Sequence, residues 1–169
     1  MKEVATLLND LRGERVITEY ALFGAVAQMR YTEPVATLHA DVLVVVPPPE
    51  RLDVLTPIYE FCARRGYALE GESVRVGVWP VQFIPVFSPL TQEALEEADT
   101  AEFEGVPFRV VRANYLAVIA LSVGRAKDFT RILALLESGS VTPERMAILA
   151  QRHGLSETWT RFKTRFLDD

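Results

Sequence analysis

A chain of 169 residues is the length of one domain and long enough to build its own core. Hydrophobic residues at 49% and charged residues at 24%, with 9 Gly and 10 Pro, exclude a disordered, fibrous or low-complexity chain. Eighteen Lys and Arg against 23 Asp and Glu give a net charge of −5, which argues against a polynucleotide-coating protein but leaves room for a local basic pocket.

One cysteine, Cys62, leaves no disulfide framework. The start, Met1-Lys2-Glu3-Val4, lacks the pattern of a secretory leader. The apolar run 42–46 is far short of the roughly 20 residues that span a bilayer. The expectation is a cytoplasmic protein with no membrane partner.

Val4, Leu7, Leu8 and Leu11 recur at helical spacing up to Gly13. A short apolar run over 20–23 reads as a strand, Gly24-Ala25 as a turn of small residues, and 26–31 as a helix broken before Pro34. The stretch 38–46 is continuous rather than alternating, which predicts a strand buried on both faces and ended by Pro47-Pro48-Pro49. Leu52, Leu55, Tyr59 and Cys62 form an apolar helical stripe capped by Gly66. Residues 74–78 and 81–87 read as strands with Trp79-Pro80 as the bend between them, and 90–98 as a short acidic helix with a solvated face. Two short strands flank Gly105. From Asn114 the period is helical, and Gly124, Gly139 and Gly154 divide it into four helices, one of them capped by Thr142 before Pro143. The fold class is therefore α/β, or α+β: a mixed sheet flanked by helices over 1–111, with a C-terminal helical bundle over 112–169.

Two places carry chemistry. At Gly24-Ala25 a strand meets a helix, and the free N–H groups of a helix start suit a phosphate, which small residues let approach closely. His39 and Asp41, two apart, point to one face of the following strand. Ionisable groups at the start of an apolar strand need a reason. Asp41 reads either as a capping or ion-paired carboxylate or as a ligand for a divalent metal. Arg125 and Lys127 read either as phosphate or partner contacts or as a solvated helix start. His153 reads as a dipole partner at a helix C-terminus, and Cys62 as a core residue.

The pattern of strand, small-residue turn, helix and strand with spaced acids resembles the nucleotidyltransferase fold. More closely, it is similar to small bacterial nucleotidyltransferase-like proteins, including abortive-infection toxins of toxin–antitoxin pairs. Val35-Ala36-Thr37 stands where that family has an Arg-x-Thr approach. The strand around Gly105-Val106-Pro107 and the helix from Leu116 toward Gly124-Arg125-Ala126-Lys127-Asp128 continue the likeness, which covers roughly residues 1–165. The resemblance implies catalytic positions at His39 and Asp41, a metal ligand at Asp41, and nucleotide contacts at Gly24, Ala25, Arg125 and Lys127. It also implies two Mg²⁺ ions and a nucleoside triphosphate as cofactors of an active member.

The departures from the family pattern matter as much. The first acidic position is His39, Gln82 stands where a third carboxylate belongs, Ala25 replaces a small polar residue and Ala120 a basic one. Imidazole and amide are poor Mg²⁺ ligands. The expectation is a nucleotidyltransferase-fold protein with lost or reduced catalysis. It would act by binding a nucleotide or an antitoxin-like protein partner, and need no cofactor. The alternative is an active Mg²⁺-dependent enzyme that transfers a nucleotide to an RNA or protein hydroxyl, with Glu33 or Glu72 joining Asp41.

Overall fold

A computed structural model describes residues 1–47 and 54–168. The chain opens with α1 (Lys2–Gly13), whose stripe of Val4, Leu7, Leu8 and Leu11 is fully buried. Then come β1 (Glu19–Phe23), α2 (Gly24–Gln28), β2 (Ala40–Val45), α3 (Thr56–Arg64), β3 (Ala68–Glu70), β4 (Ser73–Val76), β5 (Trp79–Pro85), α4 (Pro89–Glu96), β6 (Asp99–Phe103) and β7 (Val106–Val110). Four helices follow: α5 (Ala113–Val123), α6 (Ala126–Glu137), α7 (Pro143–Arg152) and α8 (Ser156–Phe166). The fold class is mixed α/β, as the sequence predicts.

The seven strands form one mixed sheet in the order β3-β4-β5-β2-β1-β7-β6. β2 lies in the middle, antiparallel to β1 and parallel to β5, and its Val42, Leu43 and Val44 are all buried. Side chains alternate along a strand, and cross-strand partners share a face. Tyr20 and Leu22, Val42 and Val44, and Val81 and Phe83 therefore share one face. The Tyr20 hydroxyl donates to Asn9 of α1, which places α1 over that face. Phe23, Asp41 and Gln82 lie on the other face.

α5 is buried on nearly every side, from Tyr115 to Leu121, and packs against α2, α4, α6, α7 and α8. That explains its unbroken apolar sequence: a helix surrounded by others has no polar face to keep. Gly124 ends it in the left-handed conformation. Thr142 caps α7 by accepting from the Arg145 N–H, as expected.

Several sequence expectations are corrected. Trp79-Pro80 is not a bend; it begins β5, and the turn lies at Gly77-Val78. Pro80 is tolerated there because it sits in the first residues of its strand. The exposed strand β3 escapes prediction because its three residues carry no buried face to pattern. The helix of 26–31 is a single turn that starts at Gly24 itself. The acidic helix is not wholly solvated. Glu93 of α4 is contacted by Arg152, accepts from the Tyr115 hydroxyl at 2.8 Å and lies 2.7 Å from His153 Nε2, so it joins α4, α5 and α7. His153 stands at the C-terminus of α7, where the sequence placed it, and its side chain lies against Glu93. Pro48, Pro49 and Leu52 lie outside the described residues.

Candidate functional site

Strand β2 begins at Ala40, so Leu38 and His39 sit in a bend before it and not within it as the sequence suggested. Thr37 holds that bend by donating its hydroxyl to the His39 carbonyl at 2.9 Å. The bend still brings the two predicted residues together: His39 Nε2 is 3.2 Å from Asp41 Oδ1, with side chains 44% and 20% exposed.

The register then decides what surrounds Asp41. Its partner on β1 is Phe23, its partner on β5 is Gln82, Gln82 pairs with Ser73 of β4, and Ser73 with Glu70 of β3. This is one row across five strands. At about 4.8 Å per strand, the next carboxylate in the row, Glu70, is about 14 Å from Asp41. Glu70 is moreover paired with Arg75 at 2.6 Å. A cavity of about 290 Å³ lies along the row, lined by His39, Gln82, Ser73, Glu70 and Glu72.

Gly24 has φ +66, and a Cβ there would collide with the Asp41 carboxylate. The glycine therefore does more than turn the chain: it makes room for Asp41. Ala25, the second residue of α2, is half-buried beside it. The five residues of α2 make barely one turn, so the aligned peptide dipoles are few.

The charge at Asp41 is also felt by cations at the start of α6 and within it. Burial raises the Asp41 carboxyl above the ordinary carboxylate value, while His39, Arg131, Lys127 and Arg125 pull it back only in part. Arg125 is engaged locally. Its Nε donates to Asp128 Oδ2 at 2.7 Å and its backbone N–H to the same oxygen at 3.1 Å, which closes a cap on α6. Asp128 is only 1% exposed. Burial alone would raise its carboxyl, but the Arg125 hydrogen bonds outweigh burial and hold it low. Lys127 is exposed.

Arg131 is the residue the sequence reading missed. Its side chain is 14% exposed, its Nε donates to Gln28 Oε1 of α2 at 3.0 Å, and its Nη1 is 3.8 Å from Asp128 Oδ1. Burial lowers its guanidinium below the ordinary value, opposed by Asp128 and Asp41. One signal was present in the sequence: Arg131 follows Lys127 by four positions, so both lie on one helix face.

These residues do not fit a pair of Mg²⁺ ions. That ion wants several hard oxygen ligands, and two of them want shared carboxylates. Beside Asp41 the row offers an amide, Gln82, and the preceding bend an imidazole, His39, while the next carboxylate of the row is three strands away. Among the described residues, no three His, Cys, Asp or Glu side chains are grouped to hold a metal.

No protein-family model matches the chain, and no curated protein matches it. Solved structures do. The solution structure of the antibiotic-resistance factor ANT(2'')-Ia aligns over 98% of this chain and 95% of its own, at 17% identity and a TM-score of 0.51. A nucleotidyltransferase-like antigenic protein from Paracoccidioides brasiliensis aligns over 93% of this chain and 90% of its own, at 14% identity and a TM-score of 0.55. The chain has a nucleotidyltransferase fold.

Proposed function

We propose that this chain works by binding, as a nucleotidyltransferase-fold module whose transfer chemistry is lost or much reduced, with a nucleotide as the ligand at Asp41. The observation that carries this reading is the cross-strand pair of Asp41 and Gln82. An amide stands where a metal-sharing acid would have to be, and Arg131, Lys127 and Arg125 are the cations whose charge acts on Asp41 and would act on a phosphate there. Gly24 and Ala25, at the start of α2, and His39 are the further contacts this reading assigns. A protein partner of the antitoxin kind is the companion proposal, drawn from the family resemblance. Fold by itself does not fix activity, so the reading rests on the site.

Calorimetry with ATP, GTP, CTP and UTP tests it, combined with an assay of pyrophosphate release against RNA and protein acceptors. Binding without release is expected. Release of pyrophosphate that disappears in Asp41→Asn overturns the loss of catalysis and favours the second reading, an active Mg²⁺-dependent transferase. That second reading has one observation in its favour: Glu70 and Glu72 line the same cavity as His39 and Gln82.

A further inference from the structure

The face of the sheet opposite Asp41 carries a second recess. Leu22 pairs with Val110 and Phe108 with Ala101, so these side chains share the face that holds α1. With Val26 of α2 and Trp79 of β5 they line a cavity of about 510 Å³. Small-molecule sites run from about 300 to 1,000 Å³ and are mostly apolar with a few polar groups. Phe103 also lines the cavity and is 41% exposed, so the recess opens to solvent on that side.

Two charged residues border the recess, Arg30 and Glu102. They are not equivalent. Glu102 stands between Ala101 and Phe103 on β6, and alternation turns its side chain to the other face. Asp99, on the recess face of the same strand, is already held by Arg112 at 2.8 Å. Arg30 follows α2, and among the described residues no ion pair holds it. Its guanidinium lies 5.9 Å from the centre of the Tyr31 ring, and the Tyr31 hydroxyl donates to the Val111 carbonyl at 3.1 Å. Those contacts set the cation at the end of β7, next to Val110 of the recess floor. An apolar recess with one uncommitted cation at its end is complementary to an apolar molecule with one negative charge. An amine would meet like charge there, and a polyphosphate would leave most of its charge unmatched.

We infer that this recess binds an amphipathic carboxylate, with its aromatic or aliphatic tail against Leu22, Phe108 and Val110 and its carboxylate on Arg30. The site lies on the face away from Asp41, so it stands or falls independently of the nucleotide-binding reading above.

The test is calorimetry on the full chain with 4-phenylbutyrate, 4-phenylbutan-1-ol and 4-phenylbutylamine, with Trp79 emission as a second reading of occupancy. The expected order of affinity is carboxylate, alcohol, amine. Arg30→Met, at an exposed position, should weaken 4-phenylbutyrate by about fivefold and leave the alcohol unchanged. Ala101→Phe fills the recess and should abolish binding of all three. Thermal melts check folding. Should Ala101→Phe not fold, Phe103→Glu sets a like charge at the open rim and is expected to weaken the carboxylate more than the alcohol. No binding of 4-phenylbutyrate at millimolar concentration overturns the inference. So does equal binding of carboxylate and alcohol, or binding that survives Ala101→Phe. None of these results bears on nucleotide binding at Asp41.

Discussion

Asp41 on β2 and Gln82 on β5 are direct cross-strand partners near the start of a parallel strand pair, so an acid and an amide share the position that bears on what this site can hold. Gln82→Asp should turn the pair into two facing carboxylates. Like charges directly opposite destabilise a sheet by up to about 1 kcal/mol. The variant should melt below the parent in EDTA and recover with Mg²⁺ or Mn²⁺, since binding to the native state stabilises it. The parent should show no such metal-dependent rise. Calorimetric or fluorescence melts across a metal titration check both.

The Asp41 carboxyl also predicts a pH dependence. Burial raises it in the folded state, with His39 and the α6 cations offsetting part of that effect. A raised acid favours folding while it is protonated in both states, and that advantage is lost as pH rises through the folded value. Asp41→Asn should therefore be more stable than the parent at neutral pH. The gap should close below the ordinary carboxylate range near pH 4. Urea unfolding from pH 3 to 8 measures it, and a variant less stable at neutral pH contradicts it.

Gly24 is held at φ +66 with the Asp41 carboxylate against its Cα. Gly24→Ala should cost about 1–3 kcal/mol, from backbone strain and from the displaced carboxylate. In an Asp41→Ala background the steric part disappears and only the strain remains, so the two substitutions should be non-additive. A double-mutant cycle in urea reads the difference.

Glu93 fastens α4 to α5 and α7 through Tyr115, Arg152 and His153. Burial works against its charged form, but the hydrogen bonds from Tyr115, Arg152 and His153 outweigh it, and the carboxyl is held low. A lowered acid contributes stability above its unfolded value, and that contribution fades as pH falls through the folded value. Glu93→Gln should cost about 1–2 kcal/mol at pH 7 and progressively less in acid. An equal loss at pH 3 and pH 7 would count against the network.

Cys62 is fully buried, and burial pushes its thiol up to about 11. The thiolate is the reactive form. Iodoacetamide at neutral pH should leave the native protein unmodified and alkylate it only in denaturant, as mass spectrometry will show.

Much of the scaffold is legible in the sequence because burial writes itself as periodicity. The stripe of Val4, Leu7, Leu8 and Leu11, the continuous run of β2 and the glycines that divide the last four helices each declare their element. Elements with no buried face, such as β3, leave no such trace. The turn at Gly77-Val78 was misplaced because Pro80 reads as a breaker, although a strand's first residues accept it.

Two residue identities were open to view in the sequence, because residue type is a local fact: His39 and Gln82 stand where the family resemblance implies acids, and they are what they are in any fold. Only the tertiary structure decided what replaces those acids. Register, which depends on strands far apart in the chain, set Gln82 beside Asp41 and left Glu70 three strands away. Helix packing brought Arg131 onto Gln28, 103 positions earlier, at the end of the short helix whose first residue, Gly24, lies against Asp41. Charge depends on residue type, but electrostatics depends on distance, and distance between remote residues exists only in the folded chain.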